Sequence, residues 1–248
     1  MSSVLITGSS RGLGLEFVKQ LLAHPKAPSV LIAACRKPDN ASELQSLAKA
    51  HSNLHVVQFD VNDFDSYDAF TQKVASIVGE KGLNVLINNA GIMKGKKDSL
   101  SDFNAKDMMD TLTTNYIAPV LLIKAMRPLL KLAADSNKNL PIGWSRAAAI
   151  NITSYLGSLA ENTFGTFLEY RESKAALNMA ARSIAVELAP DNIFVLSMHP
   201  GWVQTDMGTS EAPLTKEDSI SGMLKVFYSL KPEQHGTFVQ WDGKVLPW

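Results

Sequence analysis

A phenol and an amine stand four residues apart at Tyr170 and Lys174, inside a segment of helical period. In a helix that spacing puts both side chains on one face, with Cβ atoms about 5 to 6 Å apart. A free phenol titrates near pH ~10, too high for easy proton exchange at neutrality, and a neighbouring ammonium stabilises the phenolate. The pair therefore reads as a general acid/base with its tuning cation, and Lys174 is expected to lower the Tyr170 pKa. A lone Tyr-x3-Lys is a weak signal that chance supplies often. Its company strengthens it: Ser154 follows an apolar run of strand length whose end faces the same crevice.

A second chemical signal lies near the start of the chain. Thr7-Gly8-Ser9-Ser10-Arg11-Gly12-Leu13-Gly14 follows an apolar run and opens an amphipathic helical segment. Glycines allow a tight turn and close backbone approach to a pyrophosphate, and free amides at a helix N-terminus attract an anion. The spacing Gly-x3-Gly-x-Gly departs from the common Gly-x-Gly-x-x-Gly fingerprint, and a ligand-free glycine turn is the competing reading. Where a carboxylate near the end of the second strand would select NAD, this chain has Cys35-Arg36-Lys37. A guanidinium can grip the 2′-phosphate of NADP with two parallel hydrogen bonds, and Arg11 is within the same turn. The competing reading of Arg36 and Lys37 is a solvated turn.

The elements that must position these groups follow from periodicity. Short, nearly continuous apolar runs at Val4–Ile6, Val30–Ala34, Leu54–Phe59, Val85–Ile87, Ala147–Ile152 and Ile193–Met198 predict strands covered on both faces. Helical segments at Leu13–Leu22, Ala41–Ala50, Tyr67–Val78, Thr113–Leu132 and Ser173–Leu188 alternate with them. That alternation predicts a single doubly wound Rossmann domain over residues 1–248, α/β in class, with a parallel sheet and helices on both faces. Asn40 with Glu43 resembles a capping box for the second helix. Gly91–Asp107 and Gly201–Pro213 read as loops, the second able to cover a ligand.

The whole chain narrows the partners. Its 248 residues are 46% hydrophobic, enough for a sizeable core, and no linker-like composition divides them. Lys plus Arg equals Asp plus Glu at 24 each, so net charge offers no long-range attraction to nucleic acid or an anionic membrane. No apolar stretch approaches the roughly 20 residues of a membrane-spanning helix. With no basic and apolar leader, a cytoplasmic protein is expected. The single Cys35 reads as a small core hydrophobe. The histidines at 24, 51, 55, 199 and 235 form no spaced ligand motif, so no metal is expected. Ser154 is not in a Gly-x-Ser-x-Gly elbow, which disfavours hydrolysis.

Taken in order, Thr7-Gly8-x3-Gly12-x-Gly14, Asn88-Asn89-Ala90-Gly91, Asn115, Ser154, Tyr170-x3-Lys174 and Pro200-Gly201 resemble the short-chain dehydrogenase/reductase family across nearly the whole chain. The runs His199-Pro200-Gly201-Trp202-Val203-x-Thr205-Asp206-Met207-Gly208 and Asp242-Gly243-x3-Pro247-Trp248 are most similar to its sniffer-like carbonyl reductases. The resemblance implies that Tyr170 exchanges a proton with the substrate oxygen, that Ser154 holds that oxygen, and that Lys174 also contacts the nicotinamide ribose. It implies that Asn115 supports a water chain to Lys174, the competing reading being a polar kink in a buried helix. It implies cofactor contacts from Gly8, Ser10, Arg11, Gly12, Leu13 and Gly14 at the turn and from Arg36 at the selector. Asp60 and Val61 would meet the adenine, Asp60 being equally readable as a turn or cap residue. Asn88, Ala90 and Gly91 would line the cofactor path, with Pro200, Gly201, Val203 and Thr205 beside the carboxamide.

The expected activity is NADPH-dependent reduction of aldehydes, ketones or quinones, acting on a small apolar carbonyl or alcohol. An NADP-linked dehydrogenase for a steroid, retinoid or pterin is the nearest alternative, and a non-catalytic NADP(H)-binding regulator is the rival from another class. Tyr155, Phe164, Phe167, Leu168, Trp202 and Met207 read equally as substrate wall or as core. Family members are usually dimers or tetramers while some carbonyl reductases are monomers, so the resemblance allows a homodimer without requiring one.

Overall fold

A computed structural model describes residues 2–94 and 100–248. Among them seven strands form one parallel sheet: β1 (Ser3–Thr7), β2 (Val30–Cys35), β3 (Leu54–Gln58), β4 (Val85–Asn88), β5 (Ala148–Ile152), β6 (Phe194–His199) and β7 (Phe238–Gln240). Their order is β3-β2-β1-β4-β5-β6-β7. The strand order reverses between β1 and β4, and the crevice beyond the carboxyl ends opens there.

Both faces of the sheet are covered, which is why its central strands read as unbroken apolar runs. Side chains alternate between the two faces. Val4, Ile6, Leu31, Val85 and Ile150 pack under α1 (Gly12–Ala23), α2 (Ser42–Ala50) and α7 (Lys216–Tyr228), where Phe17 and Phe227 are stacked 6.1 Å apart. Leu5, Ile32, Leu86 and Ala149 pack under α3 (Tyr67–Val78), α5 (Ala118–Ser136) and α6 (Leu168–Leu188). At the amino ends of the strands Ser3 N donates to Asn84 Oδ1 at 3.0 Å and Asn84 Nδ2 donates to the Arg146 carbonyl at 3.0 Å, joining the starts of β1, β4 and β5.

The six expected strands and five expected helices are present, most with ends shifted by a few residues. Two further α-helices, α4 (Ala105–Leu112) and α7, and a further strand go beyond those expected; α7 opens with Thr215 accepting from Asp218 N at 3.0 Å, and β7 is a three-residue edge strand. The Asn40–Glu43 capping box does not form. Pro38 starts a 3-10 turn over Pro38–Asn40, so α2 begins at Ser42 with Ala41 as an N-cap that makes no side-chain capping bond. The expected loop at 91–107 ends early, because Asn104 caps α4 by accepting from Asp107 N at 2.9 Å; residues 95–99 of that loop lie outside the described residues. The expected helix Thr113–Leu132 is π-helical over Thr113–Ile117 before α5 begins. The segment 201–213 contains no helix or strand.

The turn between β1 and α1 depends on close approach at Gly14, where an added Cβ would overlap the Gly8 carbonyl oxygen and lie 2.7 Å from Asn89 Nδ2. Gly14→Ala is therefore expected to lower stability by about 1 to 3 kcal/mol, read as a reduced urea midpoint at unchanged m-value.

Candidate active site

The cleft at the sheet's carboxyl ends has a volume of about 1620 Å³ and runs continuously from Arg36 and Lys37 to Tyr170 and Lys174. At one end the N-terminus of α1 lies open: its N-cap, Arg11, is extended and makes no side-chain capping bond, and no acidic residue occupies the first turn. Its first amides therefore remain available to an anion. Gly8, Ser10, Arg11, Gly12 and Leu13 line this part of the cleft. Neither Arg36 nor Lys37 forms an ion pair among the described residues, and both are exposed. Arg11 is instead paired with Asp206 across the cleft mouth. Asp60 and Val61 lie on the cleft wall, and Asp60 Oδ1 also accepts from Asn62 N at 3.0 Å, as its turn reading expects.

At the other end, α6 begins at Leu168, five residues earlier than periodicity indicated, which puts Tyr170 in its first turn and Lys174 one turn on. Ser154 follows β5, accepts from Leu156 N at 3.1 Å and gives Tyr170 a hydrogen bond. Burial pushes the Tyr170 phenol up to about 12, and the Ser154 bond offsets only part of that rise. The expectation that Lys174 lowers this pKa is thus not met. Lys174 Nζ lies 5.7 Å from the Tyr170 ring centroid and donates to the Ile152 carbonyl at 2.9 Å. Its own pKa falls to about 8 because burial disfavours the ammonium.

Asn115 occupies a π-helical stretch, a distortion of the kind its kink reading expects. Its Oδ1 accepts from Ile92 N at 2.8 Å, and its Nδ2 donates to the Ile92 carbonyl at 2.8 Å and to Ser173 Oγ at 3.0 Å. It thereby ties the chain after β4 to α6, with Gly91 between them and Lys174 Nζ 3.7 Å from where a Gly91 Cβ would sit.

Some expected cofactor residues face elsewhere. Asn88 is buried and its Nδ2 donates to Asn151 Oδ1 at 2.9 Å, so its side chain stitches β4 to β5; Asn89 reaches the cleft instead and donates to the Thr7 carbonyl at 2.9 Å. Strand alternation turns these two neighbours to different sides, and sequence reasoning named Asn88 while passing over Asn89. Thr7 was missed as well: its Oγ1 accepts from Asn89 N and Ala90 N, both at 3.1 Å. Ala90, Gly91, Pro200 and Thr205 line the cleft. Val203 is buried and bridged to Leu214, while Gly201 packs against Leu214 and Trp241. Both support the loop from behind, and Gly14 does the same for the turn.

A parallel sheet with a glycine turn at its switch point and a Tyr/Lys/Ser cluster opposite defines a dinucleotide-binding α/β protein of Rossmann type. The sequence profile of the short chain dehydrogenases matches residues 2–215, and the chain belongs to that family of nicotinamide-dependent oxidoreductases. The carbonyl reductase Sniffer of D. melanogaster is 45% identical, superposes with a TM-score of 0.98 and is matched over 100% of both chains. A carbonyl reductase from chicken fatty liver, solved with NADPH bound, is 42% identical with a TM-score of 0.94, covering 100% of this chain and 94% of that one. The C-signal protein of Myxococcus xanthus is 43% identical over 166 residues, 67% of this chain and 93% of that protein. Among the described residues there is no metal-ligand cluster and no helix long and apolar enough to cross a membrane.

Lys174 and Tyr170 set opposite pH dependences. Lys174 titrates lower folded than unfolded, so the unfolded chain binds more protons between about 8 and 10.5 and stability rises with pH in that window. Tyr170 titrates higher folded than its usual 10, so stability falls again as pH rises from 10 towards about 12. Lys174→Met removes the first effect. Its stability relative to wild type is expected to drop by about 3 kcal/mol between pH 7 and pH 10, read from urea midpoints at both pH values.

Proposed function

We propose that this chain, as one catalytic domain over residues 1–248, is an NADPH-dependent carbonyl reductase acting on small apolar aldehydes, ketones or quinones. The observation that carries the reading is a single cleft with Arg36 and Lys37, which form no ion pair among the described residues, at one end and Tyr170 and Lys174 at the other, Ser154 being hydrogen-bonded to Tyr170. The open α1 terminus and the glycine-lined turn fit a pyrophosphate, and Arg36 fits a 2′-phosphate. Bound there, NADPH supplies the hydride.

The protein's own part is proton delivery and positioning. A phenol titrating at about 12 is fully protonated at neutral pH and is therefore set to act as an acid. Tyr170 donates its proton to the carbonyl oxygen, and the Ser154 hydroxyl fixes that oxygen and stabilises charge as it develops. Lys174, mostly protonated at pH 7, offers a cation beside the phenolate that proton transfer leaves behind. Asn115 holds Ile92 and Ser173 in place around this lysine. A binding-only regulator would leave the half-buried Tyr170 and the buried Lys174 without a role.

Absorbance at the NADPH band with a panel of carbonyl compounds tests the reading, and no oxidation with any of them would overturn it. Tyr170→Phe is expected to lower kcat about 100- to 10,000-fold while NADPH affinity, titrated by fluorescence, stays near wild type. Arg36→Asp loses a charge-assisted hydrogen bond worth about 1.5 to 3 kcal/mol, so NADPH binding should weaken roughly ten- to hundredfold and NADH binding much less.

A further inference from the structure

The segment between Ser154 and Tyr170 has a catalytic candidate at each end and almost no regular structure of its own. A 3-10 turn covers Tyr155–Gly157, and no further helix or strand occurs before Leu168. Its outer side is fastened by residues remote in sequence: Ser158 Oγ donates to the Pro247 carbonyl at 2.8 Å, and Ala160 N donates to the Trp248 carbonyl at 3.0 Å.

Its inner side is held by Arg171, the residue after Tyr170. The Arg171 Nε donates to the Thr166 carbonyl at 2.7 Å and Nη1 donates to the Leu156 carbonyl at 3.3 Å. One planar group thus joins the beginning of the segment to its end. The Phe164 ring lies over the guanidinium, with 4.3 Å from Cζ to the ring centroid. Arg171 is only 5% exposed, burial lowers its pKa, and Nη2 has no hydrogen-bond partner among the described residues. Phe167 adopts a left-handed backbone, φ +62°, and its carbonyl accepts from Arg171 N at 2.9 Å. That conformation is strained for a bulky residue.

A buried cation and a strained aromatic are poor ways to stabilise a fold, since hydrocarbon of similar volume often serves as well or better. Their product is a fixed shape. The segment they shape connects Ser154 to Tyr170 and carries exposed apolar side chains, Leu159 and Phe164.

Resting on the carbonyl reductase reading, we propose that Arg171 is a positioning residue that locks the 155–167 segment against α6 as one wall of the substrate pocket. It thereby sets the preference for bulky apolar carbonyl compounds over small ones. The guanidinium fork is the required feature, because an ammonium cannot bridge both carbonyls.

The test compares 1-naphthaldehyde with propanal in wild type, Arg171→Met, Arg171→Lys and Phe164→Ala. Both Arg171 variants are expected to raise KM for 1-naphthaldehyde about tenfold or more while kcat with propanal and NADPH affinity stay within about threefold. Amide exchange across 156–167 should quicken about tenfold in both without substrate present. Phe164→Ala, at a 56% exposed position where folding is not at risk, should shift KM in the same direction by about threefold. Equal losses with both aldehydes, wild-type behaviour of Arg171→Lys, unchanged exchange, or an unaltered Phe164→Ala would each overturn the proposal. Wild type inactive with both aldehydes would instead count against the reductase reading, and amide exchange would still decide the role of Arg171.

Discussion

An amine buried beside a phenol is the constraint around which the rest of this molecule is arranged. Taking an ammonium out of water is costly, and Lys174 is 4% exposed. Part of the cost is met by the Ile152 carbonyl, which accepts from Nζ at the very end of β5. The surroundings must come close without adding bulk. Gly157 packs so tightly on Lys174 that a Cβ there would be 2.8 Å from the lysine carbonyl carbon, and Gly91 leaves room above Nζ. The residual penalty appears as the fall of the amine towards neutral pH. That penalty keeps a proton and a charge within reach of the chemistry.

Sheet topology brings the contributors together. Ile152 and Ser154 come from β5 and the chain after it, Gly91 from the chain after β4, and Asn115 from a π-helical stretch between α4 and α5. A regular α-helix would turn Asn115 to a different angle from its neighbours; the wider π turn lets one amide side chain contact both Ile92 and Ser173. The same parallel order opens the β1–β4 switch point towards the glycine turn, so the anion-binding and proton-transferring ends share one cleft without any strand having to bend.

The sequence made much of this legible, because strands covered on both faces leave unbroken apolar runs and the glycine turn and Tyr-x3-Lys are local patterns. Less was legible where structure depends on what lies across the fold. Thr215-x-x-Asp218 carried a capping signal for α7 that its polar composition masked, whereas Asn40-x-x-Glu43 carried one that Pro38 pre-empted. Choosing between Asn88 and Asn89 requires knowing which way the last residue of β4 points. The direction of the Tyr170 pKa was misread because spacing reports the neighbouring charge and is silent on burial. Arg171 gave no signal at all, since its partners are main-chain carbonyls that any sequence would supply.

The stitching by Ser3, Asn84 and Arg146 lies at the amino ends of the strands, the opposite rim from the cleft. One seam joining three strands is therefore remote from the chemistry, while the Asn88–Asn151 and Thr7–Asn89 hydrogen bonds provide another at the cleft itself. Loops at the reactive rim can be lengthened, shortened or re-lettered while the three-strand seam beneath them stays intact. Changes in those loops therefore leave the Ser3–Asn84–Arg146 contacts untouched.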